Sequence, residues 1–288
     1  MLFRRHRIPA DPAPRRGWGA RLLAATLAAG LLPMTASRAA NQPGAQDMAA
    51  HRAAYTLTLD RVRDGGDITQ ARGLMVYEVM DACDGWATRQ RFTLVLTGRD
   101  GQRIETASDY STYETKDGRS IRFSLTQKTQ GAVSQRIAGE AEVTPEGGHV
   151  RYTEPVAKEE TLPPGTLLPM LHTIRALQAA REGRRLVVAP LFDGTSDEGA
   201  QDSTTVIASW NPPEANERFP VLAPLGSARM RVAFFDRNDT SGGGASTPDY
   251  EVGLRYWENG VADEIKMDFG EFVVDGHMEE LKILPGGC

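Results

Sequence analysis

Two cysteines lie 205 positions apart, Cys83 in MDACDGW and Cys288 at the end of LPGGC. Thiols bind metals, attack electrophiles or pair as disulfides. A metal site needs more ligands than two cysteines supply. His51, His149, His172 and His277 are scattered, with no CxxC or HExxH spacing to assist them. The residues alone leave open a reactive thiol, a bridge between molecules, and a staple between Cys83 and Cys288.

Other chemistry is thinly signalled. There is no GxSxG elbow to present a serine nucleophile. His172 is the histidine best placed to act as a base, but it sits beside Met170 and Leu171 in a helical pattern. That setting suits a histidine hydrogen-bonded where a helix meets a sheet. FDGTSDEG gathers Asp193, Asp197 and Glu198 among turn residues, without the spaced ligands and closing glutamate of an EF-hand. Asp263, Glu264, Asp268 and Glu271 are spread through strand and turn, so a glycosidase carboxylate pair is remote. GGGAS follows no strand-to-helix context that would cradle a phosphate. No catalytic, metal or cofactor site is expected. Tyr77, Trp86, Tyr110, Tyr113, Trp210, Tyr256 and Trp257 supply aromatic surface for sheet packing or for a lipid- or peptide-binding cavity.

The elements behind these residues begin with an export signal, residues 1–40. Arg4, Arg5, Arg7, Arg15 and Arg16 precede an apolar run, and TASRAA offers small residues for cleavage near Ala39 or Ala40. Leu22–Met34 is only 13 residues long, against about 20 for a spanning helix. The Arg15-Arg16 pair leaves both the general secretory and twin-arginine routes open. Removing the leader, with its seven Arg and one Asp, takes the net charge from −5 to −11. Such a surface repels nucleic acid. Nothing later is long and apolar enough to form a transmembrane segment. The predicted location is the periplasm, an oxidising compartment in which a Cys83–Cys288 disulfide is the single intramolecular pairing.

Residues 41–288 predict one β-rich domain, opening with a short flexible lead over 41–50. AAYTLTLDRV puts Tyr55, Leu57 and Leu59 on one face, and the DGG, RDG, KDG and PEGG turns space out an antiparallel meander. ENG and VDG near the end read as further hairpin turns. TSGGGASTPD reads as a solvent loop. One segment differs. TLPPGTLLPMLHTIRALQAAREG carries apolar residues at helical spacing, with Pro169 in the first turn and Thr166 or Leu168 preceding it, Thr166 being the better polar cap. Its apolar stripe needs a sheet face to cover it. The helix is then a core plug or the floor of a groove, with Thr166, Leu171, His172 and Ile174 as the candidate residues.

DACDGWATRQRF, LPPGTLLPMLHTIRALQAAREG, LFDG and the terminal cysteine, taken in that order, resemble the EipB-like cell-envelope integrity family of periplasmic proteins from alphaproteobacteria. The likeness covers residues 48–288. It implies a mainly β fold: a single large, strongly curved antiparallel sheet, a β-spiral, with one helix packed inside. It implies a stabilising disulfide between Cys83 and Cys288. It also implies a non-enzymatic role in envelope integrity under stress, in concert with a periplasmic tetratricopeptide-repeat protein. A lipid or lipoprotein carrier and an envelope hydrolase are the competing classes. The carrier predicts an apolar interior with few titratable groups; the hydrolase predicts His172 or a carboxylate meeting a nucleophile.

Overall fold

The computed structural model describes residues 44–237 and 247–287. The expected leader, most of TSGGGASTPD and Cys288 lie outside the described residues.

The chain lays down β1 (His51–Val62), β2 (Ile68–Asp81), β3 (Gly85–Gly98), β4 (Arg103–Thr115), β5 (Ser120–Thr129), β6 (Ala132–Thr144), β7 (Gly147–Glu154) and β8 (Lys158–Leu162) as a meander. Helix α1 (Pro169–Arg181) follows. A second meander contains β9 (Leu186–Leu191), β10 (Gln201–Asn211), β11 (Ser227–Phe235), β12 (Tyr250–Trp257), β13 (Ala262–Asp268) and β14 (Phe272–Ile283). All belong to one 14-stranded antiparallel sheet, ordered β8 through β1 and then β14 through β9. Alternation explains the strands. In β5, Ile121, Phe123 and Leu125 are buried while Arg122 and Ser124 are exposed.

The strongly curved β-spiral implied by the resemblance is corrected. The sheet is one large antiparallel ladder with one helix, open and neither strongly curved nor closed. Its end strands β8 and β9 do not pair with each other. After Leu162 come Pro163 and Pro164, which have no N–H with which to extend the ladder. The outer edge of β9 is met instead at one point by Leu167. Its N–H donates to the Pro190 carbonyl at 2.9 Å, and its own carbonyl accepts from Phe192 at 3.0 Å.

Cys83 is disulfide-bonded, and the other cysteine of the sequence, Cys288, lies outside the described residues. The ladder also holds the tail. β14 lies in mid-sheet between β1 and β13, with His51 opposite Ile283. Beyond the strand, the Leu284 N–H donates to Ala50 O at 2.8 Å. The joint between the two meanders is therefore a strand pair.

Three smaller expectations also change. VDG is no turn: Asp275 and Gly276 lie within β14, and the real reversal contains Gly270 at φ +82°. Gly276 sits where a Cβ would come within 3.2 Å of Ile265 and 3.5 Å of Leu57, so it marks a close approach of side chains. The 41–50 lead is not wholly loose, because Met48 and Ala50 are buried. Thr166 does not cap α1. Leu168 occupies the cap position in an extended conformation, as a residue before proline prefers, and offers no side-chain bond. The Thr166 hydroxyl donates to Pro163 O at 2.7 Å.

Helix α1 ends as sequence suggests. Gly183 adopts φ +76°, its N–H reaches Ala180 O, and the Arg184 N–H reaches Ala179 O. This glycine-closed arrangement satisfies carbonyls that have no partner within the helix. Ile174, Ala176, Leu177, Ala179 and Ala180 bury one face of α1 in a core shared with β1, β2, β3 and β10 to β14. A second core joins β5 to β8 with Leu168, Phe192 and Ala200.

Candidate functional site

A cavity of about 360 Å³ lies between the first turns of α1 and the inner face of the sheet. That is at the lower end of the range for small-molecule sites. Its apolar wall includes Met75, Val79, Met170, Leu254, Ile265 and Met267. Strand alternation aims the β2, β12 and β13 members inward, and the helical repeat aims Met170. Met48, from the lead, completes the wall.

The polar groups fall into two sets. The first bonds other protein groups, although His51 Nε2 is buried without a described partner. His172 Nε2 is hydrogen-bonded to Thr205 Oγ1 at 2.9 Å, and burial pulls its pKa down to about 4. Thr88 and Thr112 hydroxyls bond each other at 2.6 Å. Asp193 Oδ1 accepts from the Thr195 N–H at 2.9 Å and hydroxyl at 2.7 Å, while burial raises its carboxyl above the usual range. The Tyr110 hydroxyl donates to Asp193 O. His51 Nδ1 faces Ala49 O at 2.8 Å and so carries the proton. Burial, working against that bond, lowers the imidazole's affinity for a second proton.

The second set lacks protein partners. The hydroxyls of Tyr77 and Tyr250 and the side-chain amide of Gln90 line the cavity without a hydrogen bond to a described residue. Tyr256 has only a long contact, 3.4 Å from the Thr173 hydroxyl. Burial raises the pKa of Tyr77, Tyr250 and Tyr256, yet each keeps some accessible surface. All three line the cavity.

At the helix end of the cavity stands Glu114, 1% exposed on β4. Its carboxylate accepts from the Met170 N–H at 2.7 Å and the Leu171 N–H at 2.9 Å. These are two of the donors that a helix leaves unpaired at its start. Burial drives the Glu114 pKa up to about 7, against the two N–H bonds that favour its ionised form. Sequence reasoning missed this cap because it comes from 56 residues away. The one local signal is a glutamate at an otherwise inward-facing position, beside buried Thr112.

The candidate residues of α1 do not form one constellation. His172 and Ile174 are buried, with His172 facing the cavity. Leu171 lies over Gly118, where a Cβ would approach it to 2.6 Å. Thr166 stays in the preceding loop. Among the described residues, no three His, Cys, Asp or Glu side chains form a group that could hold a metal ion. Asp193 turns inward, whereas Asp197 lies 3.5 Å from Lys158 Nζ. Cys83 is at a tight turn, φ +72°, with Sγ 3.7 Å from Gly287 O.

Fold and site together define a class: a β-sheet scaffold, one antiparallel sheet packed on a helix around a largely apolar cavity. The EipB-like family pattern matches residues 42–285, and the chain belongs to that family. It is 29% identical over 255 residues to the cell envelope integrity protein EipB of Brucella abortus (strain 2308), spanning 86% of this chain and 89% of that protein. It is also similar to the crystal structure of a β-barrel-like protein of domain of unknown function DUF1849 from Brucella abortus. There the TM-score is 0.73 at 25% identity, over 83% of this chain and 99% of that one.

Proposed function

We propose that this chain is a non-enzymatic periplasmic protein that supports cell-envelope integrity by binding. The observation that carries the reading is the cavity. Its histidines are engaged and held toward their neutral forms, and its wall is apolar, a combination suited to holding a ligand. His172 meets a threonine whose bond locks the ring, and burial leaves it a poor base at neutral pH. The similar Brucella protein bears envelope integrity in its name.

A protein partner is a second mode, favoured by the β9 edge. Val188 is 65% exposed, Leu186 53%, and Val206 beside Leu186 50%. This apolar patch borders backbone with no neighbouring strand, which suits an added strand or an apolar surface. The opposite edge, β8, is short and carries Lys158, Glu159 and Glu160, which discourage such pairing. A periplasmic tetratricopeptide-repeat protein is the partner implied by the family resemblance.

Complementation tests both modes. A strain lacking the gene should become detergent-sensitive, and the wild-type and His172→Gln proteins should each restore resistance. A folded His172→Gln protein that fails would overturn the non-enzymatic reading. Val188→Lys should fold normally but lose capture of its protein partner and restore resistance poorly; full restoration with undiminished capture would remove β9 as the docking edge.

A further inference from the structure

We infer that the cavity selects an uncharged single-chain amphiphile, with an alcohol, ester or amide head at the Tyr77–Tyr256 end and the chain against Met75, Ile265 and Met267. The inference rests on the binding role proposed above and adds the chemical class of the ligand.

Charge is the first argument. Among the described residues lining the cavity, none is Lys or Arg. A carboxylate or phosphate head brought inside would lose its hydration with no cation to replace it, a large penalty. Helix N-termini often serve anions through their free N–H groups. Here that route is closed, since the Met170 and Leu171 N–H groups already serve Glu114. Asp193 is an acidic group in the wall. An anionic head would thus meet the Asp193 carboxyl and no compensating charge.

The partnerless polar groups supply the second argument. Phenol hydroxyls both donate and accept. Tyr77 and the weakly engaged Tyr256 line the site together with the Gln90 amide, another donor and acceptor without a described partner. A neutral hydroxyl, ester or amide satisfies such groups without carrying charge inward. Thioether and branched aliphatic surfaces on the remaining wall adapt to a flexible hydrocarbon.

Size limits the choice further. A volume of about 360 Å³ suits one chain of moderate length with a compact head. A two-chain phospholipid is too large to enter whole.

The test uses the purified exported protein with dodecanol, monododecanoylglycerol and dodecanoate as probes at neutral pH, read by calorimetry and native mass spectrometry. The two neutral probes should bind at one per chain, and dodecanoate at least about tenfold more weakly. Tyr77→Phe should weaken the neutral probes several-fold with an unchanged melting temperature. Gln90→Arg, which places a cation in the wall, should turn the preference toward dodecanoate. Dodecanoate binding as tightly as dodecanol to the wild-type protein would overturn the inference yet leave the cavity as a binding site. Binding of no probe by a folded protein would overturn the cavity reading itself.

Discussion

The two cores of this molecule are built from similar residues and packed differently. In the core of β5 to β8, the rings of Phe123, Tyr152 and Phe192 meet edge to face with centroids 5.3 to 6.5 Å apart. Gly194 and Gly139 let backbone press against Phe123, where a Cβ would approach it to 2.4 and 2.9 Å. The Tyr152 hydroxyl accepts from the Gly199 N–H at 3.0 Å and contacts Ser196 O at 3.3 Å. Every large group there has a partner. In the core shared by α1 and the second meander, tyrosines keep accessible surface and the methionines border a cavity. The contrast teaches that stability and binding capacity are separated in space. One core is closely packed by its rings; the other leaves room.

The largest test of that contrast removes an aromatic ring from the filled core. Phe192→Ala should cost about 3–5 kcal/mol, seen as a steep fall in the denaturation midpoint. A loss below about 1 kcal/mol would mean that the filled core is not where stability resides.

Enlarging a valine in each core sharpens the comparison. Val150→Phe, at a fully buried site, should destabilise by about 1–3 kcal/mol. Val252→Phe, in the cavity wall, should cost less while excluding probe ligands. Equal costs would show that the cavity wall cannot accommodate the added ring.

Acidity probes the border between the cores, where Glu114 caps α1. Its folded-state pKa, about 7, lies above the ordinary 4.5. The folded protein therefore binds this proton more tightly than the unfolded chain. The stabilisation is present below about pH 4.5 and is lost as pH rises to about 7. His172, pulled down from 6.5 to about 4, acts oppositely: its contribution is present above about 6.5 and is lost as pH falls toward 4. Glu114→Gln should remove the first contribution, so its melting temperature relative to wild type should rise between pH 5 and pH 7. A constant difference across that window would contradict the raised pKa.

The smallest effect compares hydroxyls. Tyr152→Phe should cost about 1 kcal/mol, because it removes two backbone contacts. Tyr77→Phe should change stability by less than about 0.5 kcal/mol, because its hydroxyl bonds no described protein group. If both phenylalanine variants lose the same stability, the cavity hydroxyl has a structural partner and the two cores are alike.

Much of the fold was legible along the chain. Alternation placed Tyr55 and Leu57 on the buried face of β1, and the helical repeat with Pro169 and Gly183 bounded α1. The misreadings share a cause. VDG has turn-forming residues but sits in β14, where Gly276 is needed for close packing against Ile265. Thr166 has a capping side chain but spends it on Pro163 O. Each choice was settled by a contact that residue type alone does not specify.

The candidate site was less legible for the same reason. Tyr77, Tyr110 and Tyr256 stood among the aromatics with cavity-lining potential, but their common destination depended on strands far apart in sequence. Local periodicity and turn chemistry determine strands, reversals and the helix, because those depend on neighbours a few residues away. Only tertiary structure decided that Glu114 would take the start of α1, that β14 would secure the chain's end beside β1, and which phenols would be left facing a cavity. Those outcomes depend on which side chains compete for the same buried space and hydrogen-bonding groups, and such competition has no fixed spacing along the chain.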